Sequence, residues 1–296
     1  MPERKKTTTT IYATVFSTLL GVAVLVAAAA LAVVGLGLYN VAASEQHFKP
    51  VYQLLENAMH QSVRLRARSV AEPPPFNETM VLRGAGCYRD QCLQCHGGPG
   101  TAQGDIGKSM QPLPGPLVDA ARRWSAKEMY WLTKHGIRMS GMPAWEHRLD
   151  EEELWSTVAF LQRMPDLDVA AFKAVAFEEV DGARRAGSIG ACGAARIAAA
   201  APATGNPVLG RQALYQHACN ACHMSPGVTG PATHVGPSLA GFAARANIAG
   251  VLPHTADNLE RWLREPGAVK PGTAMPAMGV SPADARHIAA YLAEMK

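Results

Sequence analysis

Two short stretches of this sequence hold residues with metal and thiol chemistry at close spacing. "CLQCH", Cys92 to His96, and "CNACH", Cys219 to His223, each set two cysteines three positions apart with a histidine directly after the second. A disulfide framework would suit an exported protein, but it gives His96 and His223 no part. A closed structural zinc site takes four ligands from paired clusters, whereas these clusters lie about 130 residues apart. Covalent haem attachment asks for this arrangement: two thiols one helical turn apart become thioethers to the porphyrin vinyl groups, and the next residue's imidazole reaches the iron. Cys92, Cys95, Cys219 and Cys222 are therefore expected to carry two covalently bound haem c groups, with His96 and His223 as iron ligands.

What closes the other face of each iron decides the activity. Iron with an open face binds small reactants, whereas iron closed by a thioether sulfur exchanges electrons. Met142 and Met275 lie 46 and 52 residues after their histidines, in "GMPAW" and "AMPAM". These matched settings make them the expected sixth ligands, with Met139 and Met278 as the nearest rivals. Met110, Met164 and Met224 read as packing residues. His135 sits at a helix end, where it complements backbone carbonyls; His147, His217, His234, His254 and His287 read as residues of loops or helix faces. Trp131 and Trp262 read as core or haem-pocket packing, with indole N–H groups within reach of a propionate. Cys87 and Cys192 remain. They either pair and tether the middle of the chain to the first motif, or Cys87, counted back from the motif to the place of Leu214, is simply buried.

The elements around the motifs repeat as well. A short helical run precedes each, with Tyr88 and Tyr215 four residues ahead of the first cysteine. A Gly/Pro-rich loop comes after it. Next is a helix with a Trp-Leu pair: "SAKEMYWLTKHG", opened by a Ser125–Glu128 capping box and closed by Gly136, against "TADNLERWLREPG". After the Met-Pro-Ala, a capped helix ends each copy, led by Asp150 with Glu153 in one and by Ser281, Pro282 and Asp284 in the other. The sequence thus predicts two domains of one kind, 77–166 and 207–296. The Ala/Gly-rich 167–206 between them reads as a linker with some helix, and no run of alternating strands is present.

The chain has 296 residues, 48% of them hydrophobic, and a formal net charge of +4. With no dense basic face, nucleic acid is not an expected partner. "MPERKK" precedes an uncharged stretch whose apolar part, from Ile11 to Leu38, exceeds the roughly 20 residues that span a bilayer. Residues 1–44 are read as a cytoplasmic tip and uncleaved transmembrane anchor; a cleaved signal peptide ending at "VAAS" has a shorter apolar region. Arg4, Lys5 and Lys6 would stay cytoplasmic, which puts the chain beyond residue 45 on the far side of the membrane. Residues 45–76 read as a juxtamembrane helix, with Arg64, Arg66 and Arg68 solvated or near lipid headgroups, and a semi-rigid "AEPPPF" spacer.

These residues together resemble class I c-type cytochromes. The likeness is closest in the second half, from "GRQALYQHACNACH" through "HVGPSLAGF" to "TAMPAMG" and "AAYL". It implies an all-α fold whose first and last helices cross beside the haem in each domain, and a carbonyl of Pro237 on the proximal His223. In the first half the loop "MQPLPGPL" leaves Pro112, Pro114 and Pro116 as alternatives for that part. The whole chain resembles a membrane-anchored dihaem cytochrome c of a bacterial respiratory chain: an N-terminal transmembrane helix in the inner membrane, then two tandem cytochrome c domains in the periplasm. The resemblance implies outer-sphere electron transfer without a catalytic residue. The expected donor is a quinol-oxidising complex or a periplasmic dehydrogenase and the expected acceptor a terminal oxidase, with the chain free or a subunit. The alternative is a dihaem, peroxidase-like enzyme with one open iron. A membrane-anchored haem sensor is disfavoured, because "MPERKK" offers no output domain.

Overall fold

The computed structural model describes residues 3–194, 200–233 and 235–295. The fold is all-α. Among the described residues one small sheet occurs, an antiparallel pairing of Asn247–Ile248 with Leu252–Pro253. The chain divides into two units, Met1–Tyr52 and Gln53–Lys296.

In the first unit, α1 (Glu3–Gly35) is one unbroken helix. Its stretch Thr10–Gly35 covers 26 residues, none of it buried. At 1.5 Å per residue this is about 39 Å, long enough to cross a membrane core of about 30 Å. The hydroxyls within it are silenced locally: Thr14 Oγ1 donates to Thr10 O, and Ser17 Oγ and Thr18 Oγ1 to Thr14 O, each at 2.9 Å. These three hydroxyls therefore need no water. The side chains of Arg4, Lys5 and Lys6 lie outside the described residues.

The second unit holds two hydrophobic cores. The helix α2 (Lys49–Ala67) buries Val63 and Ala67 and stacks His60 on Trp124 at 4.3 Å. The first core is then built by α3 (Glu78–Cys87), α4 (Ala126–His135) and α5 (Glu151–Arg163). The second is built by α6 (Pro207–Gln216), α7 (Ala256–Arg264) and α8 (Pro282–Ala293). Each of these helix starts is capped by a side chain: Asn77, Ser125, Asp150, Asn206, Thr255 and Ser281 accept from backbone N–H groups of the first turn. Ser125–Glu128 and Asp150–Glu153 are reciprocal capping boxes, and Pro207 and Pro282 sit where a helix needs no donor.

Both cores depend on a helix crossing that leaves no room for a side chain. A Cβ on Gly84 of α3 would lie 1.9 Å from Ser156 O of α5, and one on Gly210 of α6 would lie 2.0 Å from His287 O of α8. Aligning the halves on these glycines changes the register read from the cysteines. Tyr88 then matches Leu214, both buried, and Cys87 matches Ala213 rather than Leu214. The two tyrosines that precede the motifs are not equivalent: Tyr88 is fully buried, whereas Tyr215 is 42% exposed. The halves reach the motif by different turns, a π-helical turn at Tyr88–Cys92 in the first and a left-handed residue, Ala218 at φ +50°, in the second. That difference absorbs one residue.

The segment expected as a linker departs from that reading over its first part. Val169–Lys173, a π-turn Ala174–Glu179 and Val180–Arg185 form a continuous helical strap, and Phe172, Ala176 and Val180 are fully buried in the first core. These three recur every fourth residue, an amphipathic period hidden among alanines and charges. The strap is clamped by Arg89–Asp181 at 2.7 Å, Arg184–Asp90 at 2.6 Å and a Cys87–Cys192 disulfide with Cα atoms 5.1 Å apart. Residues 195–199 of the expected linker lie outside the described residues. The Pro-rich spacer likewise is not free, since Val70 and Phe76 pack on the first core.

Gly84→Ala and Gly210→Ala are each expected to destabilise the chain by about 1–3 kcal/mol, because backbone must move to admit the methyl group. Gly182→Ala, in the strap helix with open space around it, is expected to be neutral or stabilising by up to about 1 kcal/mol. Denaturant unfolding of the three variants checks this; equal losses at all three would refute the crossing argument.

Candidate haem-attachment sites

The first motif continues directly from α3. Tyr88, locked between Phe160 and Phe172 with ring centroids at 5.4 and 6.5 Å, donates its hydroxyl to Gly97 O at 2.6 Å. This bond ties the residue after His96 to the core. Gly97 has φ +63°, and a Cβ there would strike Thr101 O at 2.7 Å, so the sharp turn leaving the motif requires glycine. The loop then returns: Gly104 N–H donates to Gln94 O at 2.8 Å, and Gly107 lies so close to Cys95 that a Cβ would meet its Cα at 2.9 Å.

That return brings a carbonyl to the imidazole. His96 Nδ1 is 2.7 Å from Gly115 O, and His223 Nδ1 is 2.8 Å from Pro237 O. A carbonyl can only accept, so in both rings the proton sits on Nδ1 and the Nε2 lone pair is left free. Among the described residues no hydrogen bond engages either Nε2. Burial lowers the pKa of His96 from its ordinary value, against the Gly115 hydrogen bond, and so favours the neutral ring that a metal requires. In the first half the carbonyl comes from Gly115 and from none of Pro112, Pro114 and Pro116; Pro114 O instead accepts from Gln103 Nε2 at 2.6 Å. In the second half Gly236 makes the approach: a Cβ there would lie 2.4 Å from the His223 ring.

The thiols sort themselves. Cys87 and Cys192 are bonded to each other, and Cys92, Cys95, Cys219 and Cys222 are free and partly buried. Burial, with Cys95 adding to it, pushes the Cys92 thiol up to about 12; burial pushes Cys219 up to about 11. Two free thiols and one oriented imidazole in each motif are the donor set that haem c takes, and the residues fit that group.

The methionines lie in loops laced to the neighbouring helices. Trp145 N–H and Glu146 N–H donate to Thr133 O and Lys134 O of α4 at 3.3 and 3.1 Å, and Ser140 Oγ accepts from Met142 N–H at 3.2 Å. Met142 is half-buried, whereas its rival Met139 is 93% exposed at a left-handed φ of +61°. In the second half Met275 and Met278 both pack on the core, and Met278 O accepts from His217 Nδ1 at 3.3 Å. Met164 is buried, as read for a packing residue; Met224 is 36% exposed.

The other histidines have different partners. His135 Nδ1 and His147 Nε2 reach Glu146 at 3.5 and 3.2 Å, His254 Nδ1 faces Arg245 O at 2.5 Å, and His287 Nδ1 accepts from Asn206 N–H at 2.9 Å. His234 lies outside the described residues. Sequence reasoning missed His217, which is 3% exposed and bridges to Asp284 Oδ2 at 3.1 Å. Its partner is 67 residues away, so no local pattern marks it. Also missed is the junction of the two halves, where Arg148 Nη2 donates to Gln216 O at 2.9 Å. A cleft of about 610 Å³ opens there between Pro143–Arg148, Gln91 and the α6 residues Gln212, Tyr215 and Gln216.

Paired thiols with a carbonyl-oriented imidazole, held under crossing helices, define a c-type cytochrome. The profile of the family described as "Cytochrome C oxidase, cbb3-type, subunit III" matches residues 79–161 and again 207–292. Together these make up more than half of the chain, and the chain belongs to this family. It is also similar to "Cytochrome c oxidase subunit 2" of Alkalihalophilus pseudofirmus, 39% identical over 88 residues, which are 29% of this chain and 25% of that protein. A second "Cytochrome c oxidase subunit 2", from Bacillus sp. strain PS3, is 42% identical over 66 residues, 22% of this chain and 18% of that protein. The chain thus spans a quarter or less of the length of these curated relatives. No solved structure matches it. Membership of this cytochrome c family implies covalently bound haem c as the cofactor of the chain.

The hydrogen bonds from His135 and His147 hold the Glu146 carboxyl well below the usual carboxylate range. A depressed folded pKa stabilises the fold above the unfolded value, about 4.3 for glutamate, and the contribution fades as pH falls below it. Glu146→Gln is expected to be less stable at neutral pH and to lose less further stability on acidification than the parent. Urea midpoints from about pH 5 down to pH 2 check it, and parallel curves would refute it.

Proposed function

We propose that this chain is a membrane-anchored dihaem electron carrier. Cys92 and Cys95 would form the thioethers of one haem c, Cys219 and Cys222 those of the other. His96 with Met142, and His223 with Met275, would close the two faces of each iron. The observation that carries the reading is the duplicated hydrogen bond from Nδ1 to a carbonyl, at Gly115 and at Pro237, which frees Nε2 in both halves. The bound haem supplies one-electron exchange between ferrous and ferric iron.

The protein residues do the rest. Gly115 O and Pro237 O hold the Nδ1 side of each imidazole and aim its Nε2. The loops bearing Met142 and Met275 would each supply a soft sulfur to hold the iron, a donor that favours ferrous iron. The strap belongs with the first cytochrome domain, 77–166, and 207–296 forms the second. Residues 1–44, with α1, would hold the chain in a bacterial inner membrane with both domains in the periplasm; the length and full exposure of α1 support this. The family match and the names of the two relatives support a terminal oxidase as acceptor and a place for the chain as a subunit or close partner of one. The donor would be a quinol-oxidising complex or a dehydrogenase.

The purified full chain is expected to be heavier than its sequence by two haems. Cys92→Ser/Cys95→Ser and Cys219→Ser/Cys222→Ser should each lose one by mass spectrometry. In the oxidised chain the weak methionine-to-iron band at the red end of the visible spectrum should fall by half in Met142→Ala and in Met275→Ala. Ready carbon monoxide binding by the unmodified reduced chain would overturn the carrier reading in favour of a dihaem enzyme with an open iron.

A further inference from the structure

The helix α2 has two apolar faces, and one of them is turned into the protein. Met59, Val63 and Ala67, spaced by four, turn inward, and the last two are buried. On the other side Leu54, Ala58 and Leu65 form a second stripe, roughly 160° around the helix from the first at 100° per residue, with Leu55 at its edge. All four are exposed, the leucines to 69%, 54% and 60% for Leu54, Leu55 and Leu65. Beside this stripe Arg64, Arg66 and Arg68 are exposed as well. Arg64 makes a long ion pair to Glu128 at 3.9 Å and Arg66 a hydrogen bond back to Ser62 at 2.7 Å. Neither contact neutralises the cluster.

We propose that this outer face of α2 is a lipid-contact surface that seats on the headgroup region of an anionic bilayer. The inference rests on the reading that α1 crosses the membrane. Chain length supports the occupant: α1 ends at Gly35 and α2 begins at Lys49, at most about 50 Å of extended chain, so the stripe is never far from the membrane surface. Charge supports it too. A leucine stripe edged by arginines is the composition of a helix lying in an interface, where leucine enters the acyl boundary and arginine meets phosphate. Because the same helix is tied to the fold by His60 stacked on Trp124 at 4.3 Å, the contact would hold that part of the fold at the surface.

The test uses the full, haem-loaded chain in its ferrous, diamagnetic state, in nanodiscs containing phosphatidylglycerol. A nitroxide is placed on Leu54→Cys or Leu65→Cys, with Leu25→Cys in α1 and Glu294→Cys on α8's end as references. The ratio of oxygen to water-soluble nickel-chelate accessibility is expected to be several-fold higher at 54 and 65 than at 294. It should drop in pure phosphatidylcholine and in the Arg66→Glu/Arg68→Glu chain. Nickel access at 54 and 65 equal to that at 294 overturns the proposal. Exclusion of both reagents also overturns it, since a protein partner would then cover the stripe. A ratio insensitive to anionic lipid and to the arginines removes the headgroup contact. If Leu25 is in lipid while 54 and 65 are not, the anchor stands and this inference alone fails; if Leu25 itself is open to nickel, both fail.

Discussion

An imidazole can offer a lone pair to a metal only from a nitrogen that carries no proton, and it holds a fixed tautomer only where something accepts from the other nitrogen. Most of this structure serves that requirement twice over. A backbone carbonyl must come within hydrogen-bond distance of Nδ1, which forces the loop after each motif to fold back over the ring. Folding back so closely excludes side chains, so glycine stands at the contact: Gly236 under the His223 ring, and Gly107 against Cys95. The motif itself must not move relative to the loop. In the first half Tyr88 ensures this by hydrogen-bonding Gly97 from inside the core; in the second, Gly236 N–H donates to Cys222 O at 2.8 Å.

The two halves satisfy one constraint with different parts, and the differences trace to a single residue. Between the crossing glycine and the first cysteine the second half has one residue more. It spends that residue on a left-handed turn at Ala218, whereas the first half stays helical through a π-turn. As a consequence the tyrosine four residues before the first cysteine is a core residue in one half. In the other it is a half-exposed residue whose hydroxyl accepts from Thr229 N–H at 3.0 Å. The first half carries a strap, and its Phe172 and Val169 pack where Gly98 and Gly100 leave space. The second half braces its motif instead through buried His217, joined to Asp284 and to the carbonyl of Met278.

What the sequence made legible is what lies within a few residues of itself. The Cys-x-x-Cys-His pattern, the capping boxes and the duplicated order of helices are all local, and the structure places the caps on the residues expected. The proximal carbonyls lie 19 and 14 residues after their histidines. Which residue supplies one depends on loop path: the "GP" pattern points to Pro237, but in the first loop it is the glycine of "PGP", Gly115, whose carbonyl reaches the ring. The strap was illegible for another reason. Its buried positions are Phe172, Ala176 and Val180, and alanine at the centre of a stripe carries almost no hydrophobic signal, while the flanking glutamates and arginines suggest solvent. Only the arrival of Asp90 and Arg89 from far away in sequence turns those charges into clamps.

The cysteines impose one more constraint, because six thiols in one chain must not exchange partners if four of them are to meet a cofactor. The fold separates them by bonding and by burial. Cys87 lies on the turn of α3 that faces the core and the strap, 1% exposed, and its partner arrives from 105 residues away. Cys92 lies one π-turn further on, packed against the same core, and both it and Cys95 are partly open. Burial keeps the Cys92 and Cys219 thiols protonated and therefore poor nucleophiles toward a disulfide. Bonded to Cys192, Cys87 is no longer a free thiol that could compete for the first motif. In this way the segment that looked like a spacer also supplies, in Cys192, the partner that takes Cys87 out of the thiol chemistry of the first motif.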